Sequence, residues 1–152
     1  TKVWFLLPLR LYVGIHFMLA SIGKVSRGWL ANPQLLLDTI SKPIGAPDYR
    51  YDLYRSFYHA AVEPFPQLFV FLVVFGELLT GLAITTGTLT RLSCLVGIFM
   101  VANFFFGTNV SIAQAHNTTS FAVIMLVLFL TRAGRAYGLD HYLQNVLPRW
   151  MV

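Results

Sequence analysis

Three stretches of this chain run for about a bilayer's thickness with almost no charge, a pattern that rules out most water-soluble folds. The first runs from Val3 to Ile22 and stops where Gly23 and Lys24 break it. The second, Leu68 to Thr86, carries one acid, Glu77, and the third runs from Leu92 to Phe106. At a helical rise of about 1.5 Å per residue, roughly 20 residues cross a hydrocarbon core. A fourth run, Phe121 to Leu130, is short and reaches spanning length only if Ala113 to Ser120 joins it, which puts His116 and Asn117 near one membrane face. Composition agrees: 57% of the residues are hydrophobic, 11% are charged and the mean hydropathy is +0.66, well outside the range of a soluble domain. The sequence therefore predicts an all-α integral membrane four-helix bundle, one domain over 1–152. Its spans fall at about 3–23, 67–86, 92–107 and 113–131, and a long extracytoplasmic loop, 24–66, joins the first two helices.

Orientation follows from lysine and arginine near the span ends. Four spans put both termini on one side, where Lys2, Arg10, Arg91, Arg132, Arg135 and Arg149 face the single acid Asp140. On the other side Lys24, Arg27, Lys42, Arg50 and Arg55 are nearly balanced by Asp38, Asp48, Asp52 and Glu63. Both termini are expected in the cytoplasm, in a bacterial or archaeal cytoplasmic membrane. The net charge of +5 then reflects a basic face against anionic lipid, and no nucleic-acid partner is needed. Arg10 and His16 within the first stretch, the stretch's length and the absence of a small-residue cleavage site after it make it a retained span instead of a leader peptide.

Several chemistries are excluded by motif. Cys94 is the only cysteine, so no dithiol pair exists, and it reads as a small packing residue. No HExxH, CxxCH or glycine-rich phosphate loop occurs, so no metal or nucleotide site is indicated. Two glycosylation sequons, at Asn109 and Asn117, are short enough to arise by chance.

The loop carries five of the seven prolines. Pro33 to Ile40 is expected to form a short helix with Asn32 as N-cap, and Tyr49 to Val62 holds four tyrosines, which suit a membrane-interface belt. The alternative is an aromatic cap closing over a substrate or docking an extracytoplasmic partner.

Polar groups inside the spans are the most informative, because a charge in hydrocarbon needs a partner, water or a cavity. Glu77 lies about 13 Å from the cytoplasmic end of its helix and Arg10 about 9 Å from the same side, at about 1.5 Å per residue. These depths predict an Arg10–Glu77 ion pair, with two roles open: a helix-to-helix clamp, or a carboxylate that takes up a proton when a quinone is reduced. Arg10, Gly14, Phe17, Ser21 and Lys24 recur at helical intervals and mark a packed face. His16 lies off that stripe. His16 and His116 are candidate cofactor ligands, Asn103 is expected to bond across the third helix, and Gly76, Gly81 and Gly97 with Ala83 and Ala102 provide close-packing surfaces.

Taken together, RLYVGIHFMLASIGK (Arg10 to Lys24), GELLTGLAITTGTLTRL (Gly76 to Leu92) and GRAYGLDHYL (Gly134 to Leu143) resemble the DoxX family of small four-helix membrane proteins. The most specific pieces are the glutamate with a glycine four residues on, the Gly-x-x-Thr-Arg turn at Gly87 to Arg91, and the Gly-Arg-x-x-Gly-x-Asp tail ending at Asp140. The resemblance implies cytoplasmic termini and a link to quinone-coupled oxidation, as in the membrane subunit of thiosulfate:quinone oxidoreductase. The long outer loop with His59 departs from the compact family pattern. Two functions are open: a quinone-binding subunit in which Arg10, Glu77 and Asn103 line a cavity reached from the bilayer, or an accessory subunit without chemistry of its own, fastened to the other subunits of a respiratory or photosynthetic membrane complex.

Overall fold

The structure, a computed structural model, describes residues 4–109, 116–135 and 138–143, without the side chains of His116, Asn117 and Arg135. It is all-helical among those residues. After a 3-10 turn at Trp4–Leu6, α1 covers Leu7–Ser26 and α2 Gln34–Ile44. Next, α3 covers Asp52–Phe57 and runs into a π turn at Tyr58–Val62. Then come α4 at Pro66–Thr86, α5 at Thr90–Gly107, α6 at His116–Thr131 and α7 at Asp140–Leu143.

Among the described residues three helices are long and apolar enough to cross a membrane: Trp4–Ser26, Pro66–Thr86 and Thr90–Gly107. α6 has 16 residues, about 24 Å at 1.5 Å per residue, and the expected start of that span at Ala113 lies outside the described residues. Large apolar side chains stand exposed on the outer faces, such as Phe71, Phe75 and Leu79 on α4, Phe99 on α5, and Val123 and Leu130 on α6. Water would penalise such a surface and lipid accepts it, so this is a membrane protein whose helices contact lipid.

The helix ends follow from local chemistry. Pro66 occupies the first turn of α4, where its missing N–H is no loss. Gly87 ends α4 in the left-handed region at φ 70°, and the Thr88 N–H reaches back to the Ala83 carbonyl at 2.8 Å, a Schellman closure that needs a residue tolerant of positive φ.

α1 packs on α4, α4 on α5 and α5 on α6, while α1 also touches α6. The α1–α4 contact is backbone-close. A Cβ on Gly14 would lie 2.8 Å from the Gly81 carbonyl oxygen and 2.9 Å from the Thr85 nitrogen, and one on Gly81 would lie 2.7 Å from the Gly14 carbonyl oxygen. Small surfaces of this kind let helices associate in lipid, where no hydrophobic effect drives them together. The Ser21 hydroxyl donates to the Val74 carbonyl at 2.8 Å across the same seam. The stripe read from the sequence is the face that packs: Arg10, Gly14, Phe17 and Ser21 are buried. Cys94 is fully buried beside Met125 and Leu128 in the same core cluster, as a packing residue would be.

The loop between α1 and α4 folds into a cap with its own core. Trp29, Leu36, Ile44, Tyr49, Tyr58 and Val62 are buried with Val70 and Val74 of α4. α2 starts one residue later than expected, with Pro33 and not Asn32 at the N-cap, although the Asn32 Oδ1 accepts from the Gln34 N–H at 3.2 Å, and it continues to Ile44, with Pro43 just before its end. The interface-belt expectation is corrected for two of the four tyrosines. Tyr49 and Tyr58 are buried, and the Tyr49 hydroxyl donates to the Phe106 carbonyl at 2.9 Å. That bond and the Arg50 N–H to the Asn109 Oδ1 at 3.3 Å fasten the cap to the end of α5.

Candidate functional site

Lys24, on the last turn of α1, places its ammonium 2.6 and 2.7 Å from the two carboxylate oxygens of Glu77. The pair is shielded, with side-chain exposures of 15% and 3%. Glu77 is therefore partnered by Lys24, which corrects the expected Arg10–Glu77 pairing. The reason is the glycine seam. Because Gly14 meets Gly81 and Thr85 in antiparallel helices, four residues toward the α4 N-terminus lead from Gly81 to Glu77 and four residues toward the α1 C-terminus lead to Met18. Side chains on α1 lean toward its N-terminus, which brings that of Lys24, beyond Met18, back to the level of Glu77 and carries that of Arg10, before Met18, away from it.

Arg10 belongs to a different cluster. Its Nη1 donates to the Ala133 carbonyl at 3.0 Å and lies close to Gly87 and Gly138, within range of the charge on Asp140. Asp140 is fully buried, and its two oxygens accept from the Leu89 N–H at 2.6 Å and the Thr90 N–H at 2.9 Å. The tail carboxylate thus caps α5 from a distant part of the chain, and it pins Leu89 at its positive φ of 49°. A side chain on Gly134 would strike Thr90 and Asp140. The three sequence pieces around Arg10, Gly87–Arg91 and Gly134–Asp140 meet here in a structural clasp.

A cavity of about 320 Å³ lies between α4, α5 and the cap. Its walls are largely apolar, and a third of the lining residues are aromatic: Trp29, Tyr54, Phe57, Phe69, Phe99 and Phe104. Leu72, Val96 and Phe99 on its lining are 56%, 40% and 69% exposed on the outer face of α4 and α5, so the cavity opens sideways toward lipid. Lys24 sits behind two of the walls, its ammonium 5.7 Å from the centre of the Trp29 ring and 5.3 Å from that of Phe104, within cation–π range. The ion pair and the cavity therefore share a wall.

Asn103 lines this cavity as well. Its Nδ2 donates to the Phe99 carbonyl of its own helix at 2.8 Å, which corrects the expected bond across to another helix: four residues back along α5 a carbonyl is already in reach. His16 does not line the cavity. It is exposed midway along α1, its ring 4.3 Å from that of Phe121. The His116 side chain lies outside the described residues. Among the described residues no cluster of three or more His, Cys, Asp or Glu could hold a metal ion. Three of the cap tyrosines hold their protons more tightly than usual. Burial pushes the Tyr54 hydroxyl up to about 12 and raises those of Tyr49 and Tyr58.

The family model for DoxX matches residues 5–109, more than two thirds of the chain, including α1, the cap, α4 and α5. The chain belongs to the DoxX family. No curated protein and no solved structure matches it. The matched segment holds every cavity-lining residue and the Lys24–Glu77 pair, while the Asp140 clasp falls beyond its end. Sequence reasoning missed Lys24 as the partner of Glu77, although the residue stood on the packed stripe. It also missed Trp29 and Phe104 as the shared wall, for which no local signal exists.

Proposed function

We propose that this DoxX protein is the quinone-binding membrane subunit of a redox complex. It would cross the cytoplasmic membrane four times as a single domain, with both termini inside and the cap outside. The observation that carries this reading is the aromatic cavity under the cap, open toward lipid and backed by a buried ion pair. Its volume is at the lower end of the roughly 300–1,000 Å³ typical of small-molecule sites, and its lining has their usual character, apolar with a few polar groups. A ring of quinone size fits such walls, with its tail leaving between Leu72, Val96 and Phe99. A bound quinone supplies two-electron, two-proton chemistry; the chain's own residues bind, orient and shield.

Trp29 and Phe104 offer stacking faces, Asn103 offers an orienting amide, and the cap excludes water from the outer end. Glu77 and Lys24 place a carboxylate and an ammonium behind the Trp29 and Phe104 walls of the cavity, where the carboxylate would take up a proton. Arg10, held in the clasp, serves the position of α5 in this reading. Electrons come from a partner subunit. The other reading, a subunit without chemistry that only fastens a larger assembly, makes the opposite forecast in the following experiment.

The protein is reconstituted in nanodiscs with Trp4 and Trp150 replaced by phenylalanine, leaving Trp29 as the sole indole, and titrated with an isoprenoid quinone. Saturable quenching of Trp29 that is lost when Gly76→Leu fills the cavity supports the proposal. Absence of saturable quenching, or quenching that persists in the filled variant, overturns it.

A further inference from the structure

The cap brings a phenol and an indole to the cavity, Tyr54 from α3 and Trp29 from the turn after α1. Neither the Tyr54 hydroxyl nor the Trp29 N–H makes a hydrogen bond to any described residue, and both atoms keep surface of their own. The other polar groups on the lining are at least partly engaged. Thr39 and Thr108 donate their only hydroxyl protons to the Leu35 and Phe104 carbonyls of their own helices, at 2.7 and 2.8 Å. Asn103 donates one amide hydrogen to the Phe99 carbonyl and keeps the other. The Tyr54 hydroxyl is the best placed of these donors. It stands 3.4 Å from where a Cβ on Gly107 would lie, and a methyl of Ile40 stands 3.7 Å from the same point. Gly107 and Ile40 line the cavity too, so the hydroxyl end of Tyr54, and not only its ring, is at the wall where α2, α3 and α5 meet. Its ring is held from behind by Phe57 and Phe106, with centroids 5.6 and 5.9 Å away.

We infer that Tyr54 positions the ligand, its hydroxyl donating to a carbonyl oxygen at the head of the ring. This rests on the reading of the cavity as a quinone site. A phenol at an apolar wall with no acceptor from the protein gains a hydrogen bond when the ligand brings a carbonyl. An acyl tail entering from the surrounding lipid brings none, so this corner tells a carbonyl-bearing ring from the hydrocarbon that competes with it. The same contact sets the direction of the ligand. Gly107 lies eight residues beyond Phe99 on α5, about 12 Å at 1.5 Å per residue. A head against Tyr54 is at the cap end of the cavity, and the tail leaves toward lipid near Phe99, a ring and a short piece of chain away.

Two probes with one isoprenoid tail decide it: the quinone, and a benzene ring carrying methyl groups in place of the two carbonyls. Both are titrated into nanodiscs that keep Trp29 as the sole indole, the quinone read by quenching and the hydrocarbon by its displacement of the quinone. In Tyr54→Phe the quinone is expected to bind about fivefold more weakly while the hydrocarbon binds as before. A quinone isotope-labelled at its carbonyls adds an infrared reading. Bound to the unaltered protein, it should show a carbonyl stretch lowered from its value in protein-free nanodiscs, and Tyr54→Phe should abolish the lowering. An unshifted stretch in the unaltered protein, a lowered one that persists in Tyr54→Phe, unchanged quinone affinity in that variant, or equal weakening of both probes overturns the inference and leaves the quinone site standing. If the unaltered protein binds no quinone, the quinone site itself fails and the inference falls with it. The infrared reading on the unaltered protein needs no variant, so misfolding of Tyr54→Phe would not blunt the test.

Discussion

Lys24 and Glu77 form a shielded ion pair in which the carboxylate is buried and the lysine side chain is only 15% exposed. Removing one partner strands the other, which in a buried pair costs about 3–5 kcal/mol, whereas replacing both with apolar residues is often close to neutral. Lys24→Met and Glu77→Leu should therefore each lower stability in dodecyl maltoside, measured by titration with sodium dodecyl sulfate, and the double variant should recover most of the loss. Additive losses would mean the two side chains do not interact. Glu77→Gln separates the roles: unaltered folding with lost quinone turnover in the assembled complex marks a proton carrier, and lost assembly marks a clamp. Tyr54 gives a pH forecast. Its hydroxyl titrates at about 12 in the folded protein against an ordinary value of 10.0, so the folded state holds the proton more tightly. This contribution to stability is fully present below pH 10 and fades as pH rises from about 10 through about 12. Absorbance at 295 nm should show one phenol titrating near 12 that vanishes in Tyr54→Phe, and the variant's stability should depend less on pH in that window.

At the scale of elements, two joints decide how the helices meet. At the first, Asp140 caps α5 through the Leu89 and Thr90 amides. Asp140→Ala should cost about 1–2 kcal/mol by the usual range for a lost N-cap, and hydrogen exchange should quicken in the first turn of α5 before it changes in α4. Uniform exchange changes along the chain would point away from a local cap. At the second, the Gly14–Gly81 seam leaves no room for a Cβ. Gly81→Ala should cost about 1–3 kcal/mol, the range for overpacking, and should weaken the Lys24–Glu77 pair as α1 is pushed off α4, visible as a shift in Trp29 emission. Glycine was legible in the sequence as a packing residue. What it did to the register was not, since one contact between two helices aligns every other residue on both.

For the whole molecule, topology is the open forecast. With Cys94 buried and unreactive, a cysteine introduced at Arg50 should react with a membrane-impermeant maleimide from outside sealed cells, and one at Arg149 only after permeabilisation. The reverse labelling would turn the proposed orientation over. The sequence alone determined that this chain is helical and built for lipid, because long apolar runs leave the backbone no other way to satisfy its hydrogen bonds in hydrocarbon. It determined the packed face of α1 too, because helical periodicity is local. Only the tertiary structure decided which cation met Glu77, that Asp140 reached back to α5, and that Trp29 of the cap joined Phe99 and Phe104 of α5 in one cavity. Each of those depends on residues tens of positions apart meeting at the same depth, and depth is set by inter-helix contacts and helix ends that no stretch of sequence contains by itself.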